Sequence, residues 1–244
     1  MLVAAAVCPC PPLLVPAVAA GAAGELEALR TACGDALEVL AQARPDRLVV
    51  VGPRTAATDP GGAGDPENLS QGTRGSFRDV GVDLDVRLGD AQGAASERKL
   101  PPSLAVAAWL LEAAGWSAAP VEGLAVDEHL GRDRCAEAGR KCVRGPARVA
   151  LLIMGDGSAC RNLKAPGYLD ERAAGFDARA AQALGSADTG ALLALDEGLA
   201  RELLVAGRAP WQVLAGAGEG TGLNGKLLHD AAPYGVGYFT AVWS

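Results

Sequence analysis

The stretch Cys8-Pro9-Cys10-Pro11-Pro12 sets two thiols one residue apart between prolines, and thiolates can bind soft metals or attack electrophiles. The Cys-x-Cys spacing is too short for an ordinary zinc knuckle. No second Cys-x-x-Cys or His-x-x-x-His completes a tetrahedral set. The chain has only two histidines, His129 and His229, so an imidazole-rich centre has few members to draw on. Cys10 could therefore be a metal ligand, or a nucleophile or redox thiol with its pKa lowered by Arg54. The competing structural reading makes Cys8 and Cys10 small apolar residues at a strand end.

Arg54 could bind a carboxylate or phosphate through its planar fork, or form an ion pair with Asp156 or Glu219. Asp156 could cap its turn or orient Arg54. Ser158 and Cys160 follow in the same loop, Gly155 to Cys160. Tyr234 offers a hydroxyl to a ligand or packs as a rim aromatic, and His229 could lie nearby. Cys10, Arg54 and Asp156 are thus the candidate catalytic residues. Arg54, Ser158, Cys160, His229 and Tyr234 are the candidate ligand contacts, and Cys10 is the one candidate metal ligand. Cys33 falls on an apolar helix face and reads as core. Cys135, Cys142 and His129 sit in a charged segment without an evident role, and Lys164 reads as an exposed loop residue.

These residues have chemical meaning only if strand ends bring them together. Leu2–Val7 is a short apolar run that reads as a buried strand, and proline stops it at Pro9. Residues 24–43 then place Leu26, Leu29, Cys33, Leu37 and Leu40 at spacings of three and four, which predicts an amphipathic helix. Arg47–Val51 is a second continuous strand, closed by Gly52-Pro53-Arg54. Residues 59–76 read as a loop rich in Gly and Pro, and Val80–Leu88 alternates as a half-exposed strand. Pro101-Pro102-Ser103 introduces a helix over Leu104–Ala114, and Val121–Val126 reads as another strand.

Ala147–Met154 is a buried strand ending at the Asp156 loop. Helices are predicted over Arg172–Leu184, Thr189–Ala206 and Trp211–Ala217, and a last strand over Gly235–Trp243. The glycine-rich run Gly216–Gly222 lacks the strand-to-helix register of a phosphate cradle and reads as a flexible connection. In such an α/β fold, ligands bind at the carboxyl ends of parallel strands.

The bulk composition narrows the function classes. The chain has 244 residues, half of them hydrophobic, enough for one large α/β domain spanning 1–244. A net charge of −7 and a pI near 4.9 argue against a nucleic-acid surface. No segment reaches the ~18 apolar residues of a membrane span. The N-terminal apolar stretch lacks a charged leader and is broken by prolines, so a cytoplasmic protein with reduced thiols is expected. A small molecule, aromatic or anionic, is the expected partner. A homo-oligomer stays open, with Trp109, Trp116 or Trp211 as candidate contacts.

Four motifs, in order, resemble a known family: "CPCPPLLVP" from Cys8, "PDRLVVVGP" from Pro45, "GDGSA" from Gly155 and "APYGVGYFTAVW" from Ala232. The resemblance is to the class III extradiol ring-cleavage dioxygenases, B-subunit-like, relatives of the Memo-like proteins, and it spans essentially the whole chain. It implies a single domain with a central, mainly parallel sheet and a ferrous ion that activates a catechol and dioxygen. The family site uses two histidines and a carboxylate, plus an acid/base histidine. Here Cys10 stands at the first histidine position and Arg54 at the second. Ala159 follows Ser158 where a histidine is often found, and Ala231 is the closest match to a frequent carboxylate, one residue after Asp230. Neither His129 nor His229 matches a family histidine. A guanidinium cannot ligate a cation and repels one. No cofactor is the expectation, with ferrous iron or another transition metal left open at Cys10. The function expected is that of a diverged family enzyme or, alternatively, of a non-catalytic small-molecule-binding or interaction protein.

Overall fold

The computed structural model describes residues 1–54, 64–90 and 98–244. Their architecture is α/β, with a mixed, mostly parallel seven-stranded sheet between two layers of helices. The strands are β1 (Leu2–Cys8), β2 (Arg47–Arg54), β3 (Glu67–Leu69), β6 (Val121–Asp127), β7 (Val149–Met154), β8 (Gly225–Ala231) and β9 (Tyr238–Trp243). A separate hairpin pairs β4 (Arg74–Ser76) with β5 (Asp85–Arg87). The helices are α1 (Pro16–Ala19), α2 (Glu27–Gln42), α3 (Pro102–Ala113), α4 (Arg132–Cys142), α5 (Arg172–Gly185), α6 (Thr189–Leu193), α7 (Glu197–Glu202) and α8 (Arg208–Gly218).

Sheet order is β3-β6-β2-β7-β1-β9-β8. The four central strands, β6, β2, β7 and β1, run parallel; β3, β9 and β8 pair antiparallel at the flanks. The apolar runs that suggested buried strands are buried on both faces, as a parallel interior requires. Leu29, Cys33, Leu37 and Leu40 of α2 join the α3 side chains on one face. Side chains of α4, α5 and α8 cover the other.

Several expectations shift for identifiable reasons. The helix expected over Thr189–Ala206 splits into α6 and α7, because Asp188 accepts from Ala191 N at 2.8 Å and Asp196 from Leu199 N at 2.6 Å. Each carboxylate caps a new helix start. The strand expected over Val80–Leu88 is only Asp85–Arg87. Of the loop over 59–76, residues 59–63 lie outside the described residues, and the remainder contains β3 and β4. Strand β8 is a half-buried edge strand without a two-residue apolar period, so its pattern gave no signal.

Gly216 and Gly218 belong to buried helix rather than a flexible connection. A Cβ on Gly216 would lie 2.2 Å from Ala136 O, and one on Gly139 would lie 1.9 Å from Val213 O. These glycines let α4 and α8 approach backbone to backbone. Trp211 is fully buried and stacks near Phe239, so it faces no neighbour.

The helix layers mark a topological switch point. The connections leaving β1 and β2 run over the α2/α3 face, whereas the connection leaving β7, which lies between them, runs over the other face. Diverging connections beside one another open the sheet at its carboxyl edge. Cys10 and Asp156 stand two residues beyond β1 and β7, and Arg54 is the last residue of β2.

Candidate functional site

Beyond β1, the prolines leave the Cys10 amide without a ladder partner, and it donates to Asp156 Oδ1 at 2.7 Å. That bond ties the end of β1 to the end of β7. Asp156 is half-buried and has no other side-chain hydrogen bond among the described residues. Burial pushes its carboxyl up to about 7, against the pull of the Cys10 amide. Tyr238 of β9 is 3% exposed, and its phenol is pushed up by burial first, then by Asp156 and Cys10 beside it. Asp156, Cys10 and Tyr238 therefore form one cluster on the α2/α3 side of the sheet end.

The thiol chemistry expected at Cys10 is corrected. Burial and then the Asp156 charge raise its pKa well above the ordinary thiol value, so Cys10 is a protonated thiol, with no activation from Arg54. Cys8 and Cys33 are fully buried, and the Cys33 thiol beside it, then burial, raise the Cys8 pKa well above the ordinary value.

Arg54 does not pair with Asp156 or Glu219. Its Nη2 donates to Asp65 O at 3.1 Å, and its Nη1 stands 3.7 Å from Glu67 Oε2, a carboxylate shared with Arg98. Glu219 pairs with Arg140 at 3.1 Å instead. Alternation along β2 puts Arg54 on the same face as Gly52, where a Cβ would meet Ser103 and Met154. That is also the face of Cys10. Arg54 Nε is buried and has no hydrogen-bond partner among the described residues.

The rest of the expected set disperses. Ser158 is fully buried; its N–H and Oγ both donate to Asp177 at 2.8 Å, and Arg161 reaches the same carboxylate at 3.0 Å. Cys160 is buried in the core of the opposite face, with its Sγ toward Leu203 O at 3.5 Å. Neither side chain is presented to the crevice, because Asp177 of α5 and the second core absorb them. His229 is half-buried midway along β8, opposite Thr240, and two strands away from β1. Tyr234 Oη donates to Glu25 Oε2 at 2.9 Å, and Tyr234 adds to the negative environment of Tyr238. Ala231 pairs with Tyr238, and Asp230 is exposed.

Three polar residues were missed. Tyr238 was hidden inside an apolar strand. Asp127 ends β6 in register with Arg54, is 2% exposed, and accepts from His129 N at 2.8 Å. An acid directly after an apolar strand was its signal, as for Asp156. Asp177 could have been found as the one acid among Ala173, Phe176, Ala180 and Leu184 on the apolar face of α5.

The donor set does not fit a ferrous ion. Among the described residues, no three His, Cys, Asp or Glu side chains gather as metal ligands. A protonated thiol, one carboxylate and a permanently charged guanidinium are what the crevice presents. No helix among the described residues is long and apolar enough to cross a membrane.

The architecture is similar to that of the uncharacterized protein JW3007 from Escherichia coli K12, with a TM-score of 0.59 over 99% of both chains at 15% identity. The likeness is one of fold. No family model and no curated protein matches the chain.

Proposed function

We propose that this chain is a diverged relative of the class III extradiol ring-cleavage dioxygenases, with a crevice that handles a small anionic molecule by proton exchange rather than through ferrous iron. One observation carries the reading: a half-buried carboxyl at a topological switch point, with a single hydrogen bond, held near pH 7. A general acid or base is most effective when its pKa lies near the working pH. Asp156 meets that requirement, and Cys10 and Tyr238 supply neutral hydrogen-bonding groups around it. Arg54, its Nε without a partner among the described residues, supplies an anchor for a carboxylate on the same face. The four ordered motifs support the ancestry.

A non-catalytic binder is the second reading. It rests on the same Arg54 donor, which can hold a carboxylate whether or not Asp156 exchanges a proton.

The test is a titration of full-length protein by carboxyl carbon NMR, with Asp156→Asn to assign the resonance, followed by a panel of catechols and aromatic carboxylates. A midpoint near 7 that moves on binding of a carboxylate, with affinity lost in Arg54→Gln, is expected. A midpoint near 4 sinks the acid/base role. Oxygen uptake with a catechol on adding Fe(II), giving a ring-cleaved product, overturns the iron-free reading. Binding without turnover of any panel member selects the binder.

A further inference from the structure

A second polar cavity lies on the opposite face, and its centre is a buried cation without a counter-ion. Arg208 is the first residue of α8 and is 2% exposed. Its Nη1 donates to Leu130 O and to Gln212 Oε1 at 3.0 Å, and its Nη2 to Glu128 O at 2.6 Å. All three acceptors are neutral. Among the described residues no carboxylate is paired with it, and its Nε is buried with no hydrogen-bond partner. Cys135, nearby, offers no compensation, because burial pushes its thiol up to about 11.

The placement makes the imbalance larger. Arg208 sits at the amino end of an 11-residue helix, where the peptide dipoles add positive potential. A buried guanidinium there strongly favours an anion as neighbour. Beside it opens a cavity of about 200 Å3, lined by Arg208, Arg201, His129, Glu128, Glu197 and Leu204 among others. The cavity adjoins the carboxyl end of β6, through Glu128 directly after Asp127, and the end of β7, where Gly207 N–H donates to Asp156 O at 2.8 Å. It is thus also at the sheet edge where α/β folds bind ligands.

The lining is not simply basic. Glu197 is engaged by Arg132 N at 2.7 Å, and Glu128 stands 3.9 Å from His129 Nε2. Both acids line the wall, so a simple anion would be attracted by Arg208 and repelled by them. A molecule bearing one carboxylate and one ammonium satisfies both sets.

We infer that this cavity is a binding site for a small zwitterion of the α-amino-acid class, its carboxylate against Arg208 and its ammonium against Glu128 and Glu197. The volume confines it to a small molecule. The site is independent of the crevice at Cys10 and does not rest on the function proposed there.

The test is calorimetry on the full chain with the free proteinogenic amino acids, their amides, the corresponding decarboxylated amines, and sodium acetate and phosphate. At least one amino acid is expected to bind, with its amide and its amine each weaker by about tenfold or more, a loss of ~1.4 kcal/mol. Glu197→Gln and Glu128→Gln, both at the wall, are expected to weaken the amino acid similarly while leaving acetate unaffected or tighter. Arg208→Gln is expected to abolish binding; because it could also unfold the chain, the two glutamate variants decide the matter. No binding by any amino acid at ~10 mM, equal binding of amide and acid, or affinity unchanged in both glutamate variants overturns the proposal. Binding of acetate or phosphate alone also overturns it.

Discussion

Two carboxylates flank the Gly155–Cys160 loop, and they have opposite fates. Asp177 reaches in from α5 and is 1% exposed, with three donors on its two oxygens: Ser158 N, Ser158 Oγ and Arg161 Nη1. Asp156 belongs to the loop itself and has one donor, the Cys10 amide. Burial raises both carboxyls from their ordinary value. In Asp177 the donors oppose that rise and make the group a structural anchor. In Asp156 a single donor leaves the carboxyl at about 7, free to exchange a proton. Burial raises both, and the donors that oppose the rise differ: three on Asp177 and one on Asp156.

The largest effect expected is on the brace. Asp177→Ala leaves Ser158 and Arg161 without their shared acceptor, and a loss of about 3 kcal/mol of stability is expected by chemical denaturation. A loss under about 1 kcal/mol would remove the contrast between the two acids. Ser158→Ala, which deletes one of the three donors, is expected to cost ~1–2 kcal/mol in the same measurement.

Asp156 gives a sharper test through its sign. Its folded pKa lies above its ordinary value of 3.8, so between about 4 and about 7 the folded state holds a proton that the unfolded state has released. Stability that Asp156 contributes at acid pH is therefore lost as pH rises across that window. Asp156→Asn keeps an acceptor for the Cys10 amide and cannot ionise. Its stability relative to the parent is expected to rise between pH 4 and pH 7, by on the order of 1–3 kcal/mol. A difference that is flat with pH, followed by urea melts across the range, would place Asp156 in the same class as a solvated carboxylate.

The smaller effects concern the neighbours. Cys10, its thiol raised by burial and by Asp156, is expected to react with iodoacetamide at pH 8 at least ~10-fold more slowly in the folded chain than in urea. Peptide mass spectrometry reads the site, and equal rates would restore an activated thiolate. Arg54→Gln, whose longest ion pair is 3.7 Å and half-exposed, is expected to change stability by less than ~1 kcal/mol.

Much of the frame was legible in the chain. The apolar runs at Leu2, Arg47, Val121 and Ala147 are near-continuous because parallel interior strands bury both faces, and each run became a strand. The three- and four-residue spacing that predicted α2 survives as its buried face. Edge strand β8 was not legible, since a strand exposed on one edge needs little apolar periodicity. The break between α6 and α7 depended on two aspartates acting as caps, a role that the amino-acid type permits but does not compel.

The candidate site divides along the same line. Sequence by itself determined which residues stand at the strand ends, Cys10, Arg54 and Asp156, because strand ends are set by local runs and by prolines. It also determined that His129 and His229 are the only imidazoles the chain can offer. Only the tertiary structure decided the partners. It gave Ser158 to Asp177, Arg54 to Glu67 and Asp156 to the Cys10 amide, and it buried Cys160 in the opposite core. Those assignments depend on which side chains the crossing connections bring within about 3 Å, and on how much water each layer excludes. Neither quantity is a property of any local stretch of chain.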